Sequence, residues 1–372
     1  MLGRSKRYPL KINYMQAPYM KKPQFLRLFK GPLVVALLSL IVCHVQAAQQ
    51  PDPTDALIYQ LKESLVKVNT ATKSGGHGFG TAVAISKDHV VTNCHVIANA
   101  NGISISKWGD EYAPVAIQAD WKHDLCILRF EWANLKPVLL GESTALTYEQ
   151  PVISISMPSD SPAPYVALST IKALYPLDDS DVIRSEAAFS IGASGSPVFD
   201  YTGQLIGIST FKSPGRHAYF YNMSVKWVKA LLQTPEIKLN AAHDLPFWDA
   251  PDANRPFFMQ VAMPFQNNQW QDLQKIALSW TAKEPSNVEA WYYLGMAEQR
   301  LGNDAHAHHD FQAALALHRD HPATLQALAV QAYQQGNQAE FDKLRAVLKT
   351  MNDTLIEKLD EAVTASGKQE IK

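Results

Sequence analysis

Three residue types spaced along this chain could together perform acyl transfer: a serine in a glycine-flanked turn, a histidine and an aspartate. The serine lies in Gly192-Ala193-Ser194-Gly195-Ser196-Pro197, where small neighbours let the backbone bend sharply and expose the Ser194 hydroxyl. The amides of Gly192 and Ser194 can point together at one developing oxyanion. A serine hydroxyl is a weak nucleophile at neutral pH, so it needs a base to take its proton and a third group to hold that base in the right tautomer. HVVTNCHVIA supplies His95 just after the apolar pair Val90-Val91, and WKHDLCILRF supplies Asp124 at the mouth of a strand. Taken singly, a Gly/Ser turn is a common surface loop, His95 a core histidine and Asp124 a turn cap. The set, in its order, carries the reading.

Elements that could position such a set are strands. VAIS, HVVT, ISIS, PVISIS, VALST, SPVFD and LIGIST are short, rich in β-branched residues and separated by Gly, Pro, Asn or Asp. No long helical period intervenes, which argues against an α/β-hydrolase. The pattern predicts an all-β double antiparallel barrel with the site in the cleft between the two barrels, closed by a helix over 225–233.

VVTNCHVI, HDLCILRF and EAAFSIGASGSPVFDYTGQLIGIST resemble, in order, the three catalytic blocks of trypsin-like serine proteases over residues 60–235. The nearest likeness is to compact bacterial branches, the high-temperature-requirement type and the glutamyl-endopeptidase type. GHGFGTAVAI resembles the family's strand before the histidine, and PVISISMPSD with ALSTIKAL resembles the first hairpin of its second barrel. The resemblance implies Ser194 as nucleophile, His95 as general base and then acid, Asp124 as orienter, and the Gly192 and Ser194 amides as oxyanion hole. It places Thr210 where the family carries a hydroxyl that supports the aspartate. It also implies a specificity pocket from Ala188, Phe189 and Ser190, with Ser209 to Lys212, Thr210 among them, as one wall. Ala188 carries no charge, so an apolar residue at the cleaved bond is favoured over a basic one. His217 keeps acidic specificity open. Ala193 stands where many relatives carry Asp or Asn, and Ser196 replaces a common second glycine. A catalytically silent protease-fold scaffold that binds envelope proteins is the alternative, and a non-peptidase acyl hydrolase a third.

Charge excludes one class of partner. Residues 1–47 hold eight Lys or Arg and no acidic residue; without them, 26 of the 34 basic residues face all 35 acidic ones, a net charge of −9. That is the opposite of a nucleic-acid footprint. Residues 1–47 themselves have the parts of an export signal: basic residues, an apolar run over 32–42, and Val45-Gln46-Ala47 as a small-residue cleavage site. Met20-Lys21-Lys22 is an ordinary start for such a segment. The run is short for a membrane span. Cys43 suggests lipidation, but Val42 before it is larger than that processing prefers. A periplasmic or secreted protein is expected, with no membrane association beyond the signal. Removing Cys43 leaves Cys94 and Cys126, neighbours of His95 and Asp124, which an oxidising compartment can bond. If the triad forms, the two cysteines are close, and a disulfide is expected; two free buried thiols are the alternative.

Beyond a Pro- and aromatic-rich connector over 236–265, the period becomes helical. Trp291, Leu294, Gly295, Gly302, Ala307, Phe311 and Ala314 resemble a tetratricopeptide repeat, and 34 residues on, Leu325, Leu328, Ala329 and Gly336 repeat its first half. Glu298 and Phe341 depart from the pattern. With a half-repeat over 270–281, about two and a half repeats are expected in 266–365, docked on the barrels or on another chain, and recruiting a protein partner or substrate. The domain order is thus 1–47 signal, 48–235 protease-like domain, 236–265 connector and 266–365 helical repeats. His306, His308 and His309 beside Asp310 read as a solvated helix face rather than a metal site. No cofactor is implied.

Overall fold

The computed structural model describes residues 51–72, 74–107, 109–159, 161, 163–239 and 244–367; the expected export signal lies outside them. After helix α1 (Asp55–Lys62), capped by the Thr54 hydroxyl on the Leu57 amide at 3.2 Å, the chain forms seven strands: β1 (Leu65–Thr72), β2 (His77–Ala84), β3 (His89–Asn93), β4 (Ala100–Lys107), β5 (Asp110–Tyr112), β6 (Ala116–Asp120) and β7 (Leu125–Arg129). A single helical turn, α2 (Cys94–Ile97), follows β3. The sheet order is β5-β4-β1-β2-β3-β7-β6, antiparallel throughout.

Six further strands, β8 (Pro151–Ser156), β9 (Tyr165–Leu177), β10 (Ser180–Ser185), β11 (Pro197–Asp200), β12 (Leu205–Lys212) and β13 (Phe220–Ser224), close into a barrel in the order β10-β13-β12-β11-β8-β9. Of the two barrels expected, this one closes by strand pairing. In the first half no pair joins the edge strands β5 and β6 among the described residues, because β5 is three residues long and Pro114 interrupts the chain between them. That sheet still curls around one core: Ile105 of β4 and Ile117 of β6 meet Val68, Ala82, Val90 and Leu128 in the same buried cluster.

Helix α3 (Val225–Leu231) begins at Ser224, whose hydroxyl accepts the Lys226 amide at 3.0 Å, and buries Val225, Trp227, Val228 and Leu231. The connector has two short 3-10 turns, then α4 (Phe257–Gln260) and α5 (Ala262–Gln266). Six helices follow: α6 (Trp270–Lys283), α7 (Val288–Arg300), α8 (Asp304–Leu317), α9 (Pro322–Gln334), α10 (Gln338–Met351) and α11 (Thr354–Gly367). Close packing of α7 on α8 depends on Gly295, where a Cβ would lie 2.6 Å from the Phe311 ring. Glu298, at its unexpected position, is buried and takes hydrogen bonds from Gln274 of α6 at 2.8 Å and Asn303 at 2.7 Å, a polar latch where an aromatic would have packed.

These helices are not a detached appendage. One apolar core runs from Tyr175, Tyr221 and Phe211 of the closed barrel through Phe258 and Val261 of the connector to Leu273, Trp280 and Tyr293 of α6 and α7. Polar groups cross the same junction. Arg184 donates to the Tyr175 and Tyr293 hydroxyls at 3.0 and 3.2 Å, and Tyr148 donates to Glu289 at 3.2 Å. The His321 Nδ1 takes hydrogen bonds from Thr324, which leaves its Nε2–H to donate to Glu289 at 3.2 Å. Burial alone would push the Glu289 carboxyl up, but His321, Arg184 and Tyr148 hold it below the ordinary glutamate range.

Candidate active site

His95, Asp124 and Ser194 come from three separate segments and meet between the two β halves. Pairing of β3 with β7 aligns Asn93 with Leu125, and the next step of the ladder, Cys94 N–H to Asp124 O at 3.2 Å, sets His95 beside Asp124. Asp124 has φ 59°, a left-handed conformation that aspartate tolerates better than bulkier residues and that turns the chain into β7. Cys94 and Cys126 are joined by a disulfide, with Cα atoms 4.9 Å apart. It ties the turn that carries His95 to the strand that follows Asp124.

Asp124 is 1% exposed by side chain and His95 31%, so the carboxylate is enclosed while the imidazole reaches the cleft. The Asp124 Oδ1 accepts the His95 amide at 2.8 Å, and Oδ2 accepts the His95 Nδ1–H at 2.5 Å. A carboxylate only accepts, so the ring proton sits on Nδ1 and the Nε2 lone pair faces the Ser194 hydroxyl, 2.9 Å away. The serine can therefore pass its proton to a base whose tautomer is already set.

The Ser194 turn is held by a residue to which sequence reasoning gave no role. The Thr81 hydroxyl donates to Gly192 O at 2.9 Å and accepts the Met157 amide at 3.0 Å, while the Thr81 amide donates to Ser194 O at 2.8 Å. Ala193, where a polar side chain was expected to fix the turn, is fully buried, and Thr81 fixes the turn from β2 instead. Gly192 has φ 92°, and a Cβ there would lie 2.7 Å from the Ser159 amide. That amide donates to Ile191 O at 3.2 Å. Since a trans peptide points its C=O and N–H in opposite directions, the Gly192 N–H faces away from Ser159.

Thr210 does not play the part expected of it. It is 2% exposed, so it walls no open pocket, and its hydroxyl donates to Ile208 O at 2.9 Å rather than to the Asp124 carboxylate. Asn93 bridges the two residues, donating to Thr210 Oγ1 at 2.9 Å and to the Asp124 main-chain oxygen at 3.0 Å. The carboxylate's third hydrogen bond comes instead from the connector: the Trp248 indole N–H donates to Asp124 Oδ2 at 3.0 Å. The only sequence signal for this was an excess of aromatic residues in an otherwise irregular segment.

The other site residues are placed as follows. Ala188 and Ser190 are exposed, and half-buried Phe189 sets its ring edge-on to Phe220 at 5.0 Å. His217 is exposed on the turn between β12 and β13. A cavity of about 240 Å³ lies beside the site between Phe211, Tyr221, Trp248, Met259 and Met263. The three helix histidines face different partners: His308 donates to Gln331 at 2.9 Å, His309 to Asp310 at 3.0 Å, and His306 lies 4.0 Å from Glu298.

The family model of the trypsin-like peptidase domain matches residues 80–208, a span that includes His95, Asp124 and Ser194. A probable periplasmic serine endoprotease, DegP-like, of Chlamydia muridarum is 33% identical over 147 residues, 38% of this chain and 29% of that protein. The Do-like serine protease HtrB of Bacillus subtilis is 29% identical over 186 residues, 42% of this chain and 41% of that protein. The chain thus spans less than half the length of these relatives. Among solved structures, the HtrA-type protease AlgW with a tripeptide is 24% identical, with 49% of this chain and 63% of that one covered and a TM-score of 0.45. The chain carries a chymotrypsin-like β-barrel protease fold followed by a helical region.

Proposed function

We propose that the protein is an exported serine endopeptidase that cleaves protein or peptide substrates through an acyl-enzyme. The observation that carries this reading is His95 hydrogen-bonded on both sides, at 2.5 Å to a buried carboxylate and at 2.9 Å to the Ser194 hydroxyl. In the proposed reaction His95 takes the Ser194 proton as Oγ attacks the scissile carbonyl, and Asp124 stabilises the imidazolium that forms. The amides of Gly192 and Ser194 receive the oxyanion. His95 then protonates the leaving amine, and water hydrolyses the ester by the reverse sequence. The Phe189–Phe220 pair and the uncharged Ala188 favour a modest apolar side chain at the cleaved bond.

Export is supported by the disulfide, which belongs to an oxidising compartment, and by the periplasmic designation of the chlamydial relative. Among the described residues no helix is long and apolar enough to cross a membrane. We read the helical region as tetratricopeptide-like repeats, α7 with α8 and α9 with α10, that recruit a substrate or partner. A groove of about 840 Å³ between α6, α7, α9 and α11, lined by Tyr292, Met296, Val330 and several glutamines, offers a surface for it.

Labelling with a fluorophosphonate probe tests the reading. The folded protein should be modified at Ser194, and Ser194→Ala or His95→Ala should lower peptide turnover by on the order of 10⁴–10⁶. A folded protein that takes no label would favour the silent scaffold.

A further inference from the structure

We infer that Trp248, in the connector beyond the barrels, is a positioning residue for the His95–Asp124 pair. The inference rests on the serine-protease reading of that pair. Asp124 is enclosed, and a buried carboxylate needs a donor for each oxygen it exposes to the interior. The hydroxyl expected to support Asp124, that of Thr210, is committed to Ile208 O. The Trp248 indole N–H takes its place at 3.0 Å, on the same oxygen that receives the His95 Nδ1–H. Its ring also stands edge-on to the His95 imidazole, with centroids 5.5 Å apart and planes at 86°, so one side chain restrains both members of the pair.

The indole is itself held from two sides. It stacks on Phe211 of β12 at 5.7 Å and 19°, and the preceding residue, Phe247, donates its amide to Lys122 O at 3.1 Å, two residues before Asp124. Downstream, Phe258 stacks on Tyr175 at 4.5 Å and Phe257 on Trp280 of α6 at 5.9 Å. A ring that only filled an apolar gap would have no need to aim its N–H at a buried oxygen. This one fixes the carboxylate rotamer that in turn fixes the imidazole.

Trp248→Phe removes the N–H and keeps a ring; Trp248→Ala removes both. In protein purified from the full chain, Trp248→Phe should lower kcat on a peptide substrate by about tenfold, the scale of one hydrogen bond to a charged group, with KM within about twofold. The far-downfield proton resonance of the His95 Nδ1–H should move in the same variant, a signature that loss of packing elsewhere would not produce. Unchanged kcat and an unchanged proton resonance would overturn the inference. If the unsubstituted protein neither labels nor turns over, the nucleophile reading of Ser194 falls, and the resonance alone decides for or against Trp248. Should Trp248→Phe fail to fold, the reciprocal measurement stands: the Trp248 indole proton resonance must respond to Asp124→Asn, and if it does not, the inference is wrong.

Discussion

The two β halves hold their share of the site by different means. The first supplies His95 and Asp124; it has a curled sheet, the Cys94–Cys126 disulfide and a small core of its own, and from the other face of its strands Val83, Val91, Leu125 and Ile127 join the large core. The second supplies Ser194, and its core continues without a break into the connector and helices α6 and α7. Covalent constraint acts on the unfolded chain and stays local to the loop it closes, whereas a shared core makes the closed barrel and the helices unfold together. The difference teaches where disturbance should travel: damage to the helices reaches the connector, the closed barrel and the inner strands that share their core, and least the outer strands β4 and β6, while damage to the disulfide acts first on β3 and β7.

The largest expected effect comes from breaking the junction. Glu289→Ala would leave the His321 Nε2–H and the Tyr148 hydroxyl buried without their shared acceptor. Truncating one member of such a buried charged network costs about 3–5 kcal/mol. Hydrogen exchange should show α7, α9 and the closed barrel losing protection together while β4 and β6, whose Ile105 and Ile117 lie in the first sheet's own cluster, keep theirs. Uniform loss across both halves would break the comparison.

Next in size is the Ser194 turn, which bridges the halves through Thr81. Gly192→Ala puts a Cβ 2.7 Å from the Ser159 amide at a φ that alanine resists. The turn must shift, and losing one oxyanion donor costs about 10²–10³ in kcat. The protein should remain folded by circular dichroism. Retained turnover would mean that the Gly192 amide does not serve the oxyanion.

Removing the disulfide should act locally. Cys94 and Cys126 are 32 residues apart, which corresponds to at most about 3.7 kcal/mol in the loop-closure account. Cys94→Ala with Cys126→Ala should lower protection in β3 and β7 and leave α6 to α11 as they were, as read by hydrogen exchange. Equal loss in the helices would show that the two halves share one cooperative unit after all.

What the sequence disclosed and what it concealed divide by range along the chain rather than by half. Strands of both halves, from HVVT to LIGIST, and the order of His95, Asp124 and Ser194 were readable because β-branched alternation and short blocks are local signals. Trp248 was not, because its partner lies 124 residues away and its segment has no period. Glu289 was equally hidden: an acid in the first turn of a helix reads as a surface residue, and only the long-range approach of Tyr148 and His321 makes it a buried one. Thr210 shows the converse error, in which a residue type in the expected place is turned by its neighbours toward a backbone carbonyl.

The smallest effect expected is a pH dependence at the junction. Burial, and then the neighbouring His321, hold the His318 imidazole below the ordinary histidine value of 6.5, with Asp320 and Glu289 opposing. Its ring lies edge-on to Tyr148 at 4.9 Å, and its buried Nδ1 has no hydrogen-bond partner among the described residues. With the folded value below the unfolded one, the folded state binds fewer protons, so the contribution is present above pH 6.5 and is lost as pH falls through the folded value. Glu289, also held low, adds a second loss of the same sign, but only below its ordinary value of 4.5. Between pH 7 and 5 the histidine therefore contributes a loss, and exchange in α8 and α9 should quicken relative to β4 and β6. His318→Leu should flatten that response while leaving the loss below pH 4.5 in place. An unaltered response between pH 7 and 5 in the variant would remove His318 from the account and leave the junction's acid sensitivity to the Glu289–His321 pair.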